Sequence, residues 1–81
     1  MHSLLRRAME QPETWVISLE YVDSKGVSSR RVVSPIRMLG RRRFLALCLC
    51  REEPRQFYLE RCQNVTLLPA AEVMMPVAMG T

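Results

Sequence analysis

A mainly β fold, a small barrel of about five strands behind one short helix, follows from three features of the sequence. Trp15, Ile17, Leu19 and Tyr21 alternate with Ser18 and Glu20, the period of a strand with one buried face. Asp23-Ser24-Lys25-Gly26 then reads as a turn in which Gly26 supplies a positive φ. Beyond it, short apolar or alternating runs recur at close, regular intervals with polar turns between them, a spacing that suits a small barrel.

Each element has its own local reason. Residues 3–11 form an amphipathic helix: Ser3 is an N-cap, Leu4, Leu5, Ala8 and Met9 share one face, and Pro12 ends it. Residues 14–23 and 27–34 make a β-hairpin, and Pro35 ends the second strand or sits at a bulge. Residues 36–39 form a third short strand, and Gly40-Arg41-Arg42 the next turn. Residues 43–50 are a strand that is apolar on both faces from Phe44 onward. Arg51 to Pro54 is a polar turn, and residues 55–60 a strand with Phe57 and Leu59 on one face. Residues 61–64 suit a 3₁₀ turn, and 65–68 a last strand. Three segments result: a helix and linker over 1–13, a barrel over 14–68, and an apolar tail over 69–81.

Composition narrows the function. Eighty-one residues make one small domain with a modest core and no room for a cleft between domains. With 48% hydrophobic and 25% charged residues the chain is of a folding composition. Ten of its twelve basic residues lie between Lys25 and Arg61, opposed there only by Glu52, Glu53 and Glu60, and eleven of the twelve are arginine. A basic middle suits an anionic partner, although a solvated arginine surface gives the same composition. Cys48, Cys50 and Cys62 are an odd number and two of them stand two residues apart, so no disulfide framework is expected. With no secretory signal and no membrane-length apolar run, the expected location is the cytoplasm. The one histidine, His2, is remote from the cysteines, which leaves neither a closed zinc site nor a base for a catalytic thiol. No catalysis, metal or cofactor is expected.

The ordered motifs resemble the WYL domain. Ile17-Ser18-Leu19-Glu20-Tyr21 with Asp23 and Gly26 is similar to its opening hairpin, and Arg31-Val32-Val33-Ser34-Pro35 to its Arg-x-x-x-Pro element. Arg43-Phe44-Leu45 stands at the name-giving Trp-Tyr-Leu triplet. Residues 55–62, Arg-Gln-Phe-Tyr-Leu-Glu-Arg-Cys, are similar to its closing Arg-x-Phe-x-Leu-Asp-Arg-Ile. The family's Trp, Tyr, Asp and Ile are here Arg43, Phe44, Glu60 and Cys62. The resemblance implies an SH3/Sm-like barrel that senses ligands in bacterial transcriptional regulators. It also implies a partner that is nucleic acid, single strands included, or another anionic effector. It further implies that Arg31, Arg55 and Arg61 help line a basic pocket.

The candidate ligand residues are therefore Arg31, Arg55, Arg61, Tyr21, Ser29, Phe44 and Arg43. Guanidiniums present a planar fork of donors to phosphate or carboxylate. The competing arrangement is an ion pair with Glu20, Glu53 or Glu60. Tyr21 and Ser29 add hydroxyls that could serve packing or a turn equally well. Phe44 and Tyr58 stack on bases only if their strand faces expose them. Arg41-Arg42-Arg43 reads as a solvated loop able to make sequence-independent phosphate contacts. A different class of function is a protein-interaction or homo-oligomerisation module, using an edge strand and the tail Val73-Met74-Met75-Pro76-Val77-Ala78-Met79.

Overall fold

A computed structural model describes residues 2–49 and 51–74. The chain runs through helix α1 (His2–Glu10), strands β1 (Trp15–Val22), β2 (Ser28–Leu39), β3 (Arg43–Cys48) and β4 (Glu53–Tyr58), a 3₁₀ turn (Leu59–Arg61), strand β5 (Cys62–Pro69) and helix α2 (Ala70–Met74). The five strands form one open antiparallel sheet in the order β4-β3-β2-β1-β5. The mainly β architecture behind a short helix is thus the one expected, with β4 and β5 as the two edges of the sheet.

Period two decides what the inner face carries. The registers place Ile17, Leu19 and Tyr21 of β1 opposite Val33, Arg31 and Ser29 of β2, Val33 opposite Cys48, and Ala46 and Phe44 of β3 opposite Arg55 and Phe57 of β4. Side chains two residues apart share a face. One face therefore holds Ile17, Leu19, Val33, Phe44, Ala46 and Phe57, joined by Leu5 and Ala8 of α1, as the core. The same face ends in Tyr21, Ser29, Arg31 and Arg55, so the apolar core passes directly into a polar rim.

The sheet is strongly rolled. If it were flat, β1 and β4 would stand three strand spacings apart, about 14 Å. Instead the Tyr21 and Phe57 rings meet edge-on with centroids 5.0 Å apart, and the Tyr58 N–H donates to the Tyr21 hydroxyl at 3.1 Å. Two bulges help bend it. In β2, Pro35 faces Ala46 and Arg37 faces Leu45, which leaves Ile36 as the extra residue. In β5, the register against β1 slips between Ser18 and Glu20, where Asn64 takes φ 51° and donates to Glu20 Oε1 at 3.1 Å.

The structure moves several boundaries. The strands expected over 27–34 and 36–39 are one strand, because Pro35 sits at the bulge rather than ending the ladder. The strand expected over 55–60 is β4, two residues earlier: Glu52, at φ 55°, closes a tight turn in which its N–H donates to Cys48 O. Pro54 is tolerated there because β4 is an edge strand. The 3₁₀ turn comes at Leu59–Arg61, where Leu59 N–H donates to Arg42 O at 2.8 Å, and the ladder of β5 then starts at Cys62 rather than at 65. The strand expected over 43–50 pairs as β3 to Cys48, with Phe44, Ala46 and Cys48 buried and Leu45 and Leu47 half-buried. Of the expected tail, Pro69 ends β5 opposite Trp15 and the next residues are α2, anchored by Ala70 N–H to Thr14 O at 2.8 Å; the remainder, 75–81, lies outside the described residues.

Candidate ligand-binding cleft

The roll leaves a cleft of about 170 Å³ at the polar end of the inner face, lined by Tyr21, Asp23, Ser29, Arg31, Arg55, Gln56 and Phe57. Arg31 and Arg55 are not on neighbouring strands, since β3 lies between β2 and β4. They reach the same cleft because the sheet curls and because Arg31 stands beyond the last paired residues of β3, whose ladder with β2 begins at Val33 and Cys48. Four of the seven candidate residues meet here: Tyr21, Ser29, Arg31 and Arg55.

The hydrogen bonds orient donors into the cleft. Arg31 Nε donates to Ser29 Oγ at 3.1 Å, which tethers a half-buried guanidinium and leaves its two terminal amino groups for a ligand. Tyr21 Oη accepts from Tyr58 N–H, so its own proton is free to be donated. Gln56 Oε1 accepts from Arg43 Nη1 at 2.8 Å, and because Gln56 alternates with Arg55 and Phe57 this pair holds the amide on the opposite face of the sheet. Arg43, a candidate from its place in the family's triplet, stands on that outer face and does not line the cleft. The ion pairs that competed for the arginines are not formed among the described residues. Glu20 instead lies 3.8 Å from Arg30, a mostly exposed pair of little energetic weight.

Two candidates fall elsewhere. Phe44 is fully buried and stacks on Phe57 with centroids 5.5 Å apart, so it cannot meet a base. Its alternation with Leu45 puts it on the core face, a parity that the doubly apolar run 44–49 conceals. Arg61 lies in the 3₁₀ turn with its guanidinium 5.6 Å from the Tyr58 ring centroid, on the far side of β4 from Phe57. Cation–π contact holds it there. Conversely, Asp23, Gln56 and Phe57 line the cleft without having been singled out as ligand residues. Asp23 reads from sequence as a turn residue, and it is one: Oδ1 accepts Lys25 N–H at 2.8 Å and Val27 N–H at 2.9 Å. Of the cysteines, Cys48 and Cys62 are buried in the protein, and Cys50 lies outside the described residues. Burial pushes the Cys62 thiol up to about 11, which suits a packing role rather than a nucleophile.

The sequence model of the WYL domain family matches residues 2–67, most of the 81-residue chain. The chain belongs to the WYL domain family, whose members are regulatory, ligand-sensing modules of bacterial regulators rather than catalysts. No curated protein matches it. No helix among the described residues is long and apolar enough to cross a membrane.

Proposed function

We propose that this chain is a cytoplasmic sensor module of bacterial transcription regulation that binds nucleic acid, or a small anionic effector, through the Arg31/Arg55 cleft. The observation that carries this reading is the convergence of two guanidiniums and two hydroxyls on one cleft, with neither guanidinium in an ion pair among the described residues. Charge-assisted contacts to phosphate contribute about 1.5–3 kcal/mol each, so the two arginines supply the bulk of the affinity. Arg41 and Arg42, exposed in the β2–β3 turn, add delocalised attraction for an extended strand. The binding unit is the sheet over residues 14–68, with α1 closing its core.

Short single- and double-stranded oligonucleotides, screened at two salt concentrations, test this. Salt-sensitive binding supports it, and absence of binding to any anion contradicts it. A second reading, a protein-interaction or self-association module, draws on the unpaired edge of β4 and on the hollow lined by Leu47, Leu49, Glu52 and Val73 of α2. A salt-insensitive dimer without anion binding favours that reading.

A further inference from the structure

The cleft has one group of the opposite kind. Arg31, Arg55, Tyr21 and Ser29 all have side-chain donors to offer, whereas Asp23 is a carboxylate and can only accept. Its Oδ1 is occupied by the two turn amides, while Oδ2 accepts no hydrogen bond from the described residues. Neither arginine neutralises it by an ion pair. An oxyanion alone, bound by the arginines, would sit near an uncompensated like charge. An oxyanion that also carries a hydroxyl or ammonium donor would satisfy the arginines and Oδ2 together.

Resting on the reading of the cleft as an anion site, we propose that Asp23 sets its specificity, selecting a phosphate-bearing ligand with a hydrogen-bond donor close to the phosphate over a bare phosphate. The shared chemistry is an anion with an adjacent donor. A ribose-like hydroxyl and an ammonium group are its two sources. The requirement for closeness follows from size: about 170 Å³ admits a phosphate and a few further atoms, not a large ligand in full.

Asp23→Asn separates the two roles of the side chain. The asparagine carbonyl can still accept the turn amides, and asparagine suits such a turn, but the charge is gone. Three small probes of equal phosphate charge are titrated by NMR chemical-shift change: ethyl phosphate, glycerol 1-phosphate for the hydroxyl source, and phosphoethanolamine for the ammonium source. The native protein should bind one or both donor-bearing probes about tenfold or more tightly than ethyl phosphate, the worth of a hydrogen bond to a charged group. Asp23→Asn should lose that preference, mainly by gaining affinity for ethyl phosphate, with its spectrum otherwise preserved. The hydroxyl or ammonium source is read from whichever probe gains most. Equal affinity of the native protein for all three probes, or a preference that survives in Asp23→Asn, overturns the proposal while leaving the anion site standing. If no probe binds either protein, the anion reading itself falls, and this proposal with it. Arg31→Ala/Arg55→Ala, which should bind none of the three, distinguishes cleft binding from contact with surface arginines.

Discussion

Replacing Phe44 separates a core role from a base-stacking role. The ring is fully buried, stacks on Phe57 across the β3–β4 ladder at 5.5 Å, and forms with Phe57 and Tyr21 the aromatic cluster beneath the cleft. Removing such a ring costs about 3–5 kcal/mol. A domain of 81 residues has in total about 4–12 kcal/mol, at roughly 0.05–0.15 kcal/mol per residue. Phe44→Ala should therefore remove at least about a quarter of the stability, and unfold the domain if the native value is at the low end. Phe44→Leu keeps most of the volume and should cost about 1–1.5 kcal/mol. In a domain of this size that lowers Tm by roughly 4–12 °C. Urea unfolding followed by Trp15 fluorescence and thermal melting followed by circular dichroism measure both variants. If Phe44→Ala loses less than about 1 kcal/mol, the ring is exposed, the rolled sheet is wrong, and a stacking role for Phe44 returns.

Further outcomes follow from the same geometry. Tyr21→Phe removes the acceptor for Tyr58 N–H and should cost about 0.5–1.5 kcal/mol in urea unfolding while weakening anion binding at the cleft. Gly26→Ala meets no atom within 4 Å, yet φ is 83°, so it should cost about 1–2 kcal/mol through backbone strain alone, again read by urea unfolding. The Cys62 thiol stays protonated in the fold up to about 11, above its ordinary 9.0. The unfolded chain therefore loses this proton first, and stability should fall as pH rises from 9 towards 11. Comparison of the native protein with Cys62→Ala, which should lack that component, isolates it from other alkaline titrations. Arg41→Ala/Arg42→Ala should keep the stability and flatten the salt dependence of any oligonucleotide binding, by up to about 0.7–0.9 in slope for each phosphate no longer neutralised.

Where the sequence was legible, the information was local. The strand over 15–21, the Asp23–Gly26 turn and the Pro12 stop each act within a few residues and are found where they were read, although β1 buries Val16 and Ser18 as well as Ile17 and Leu19, so it is covered on both faces rather than one. Boundaries set by pairing partners were less legible. Nothing local says that Pro35 sits at a bulge within one twelve-residue strand, or that β4 starts at Glu53, because those limits come from the register with β3. The site followed the same division. Tyr21, Ser29, Arg31 and Arg55 belong to motifs of an ordered family pattern and do line one cleft. Phe44 and Arg61 belong to the same pattern, but burial under a rolled sheet and a ring contact with Tyr58 place them elsewhere. Asp23 was read for its turn alone, since only the roll shows that the turn forms one wall of the cleft.

Binding of a short oligonucleotide and of a small phosphate ester by the native protein and by Arg31→Ala/Arg55→Ala, over a salt series, tests the central claim most directly. Circular dichroism serves as the folding control. Removing the guanidiniums leaves the described ion pair, Arg30–Glu20, untouched, so the double variant should stay folded. It should lose about tenfold or more in affinity for each arginine removed. A folded double variant that binds both probes as the native protein does would contradict the account.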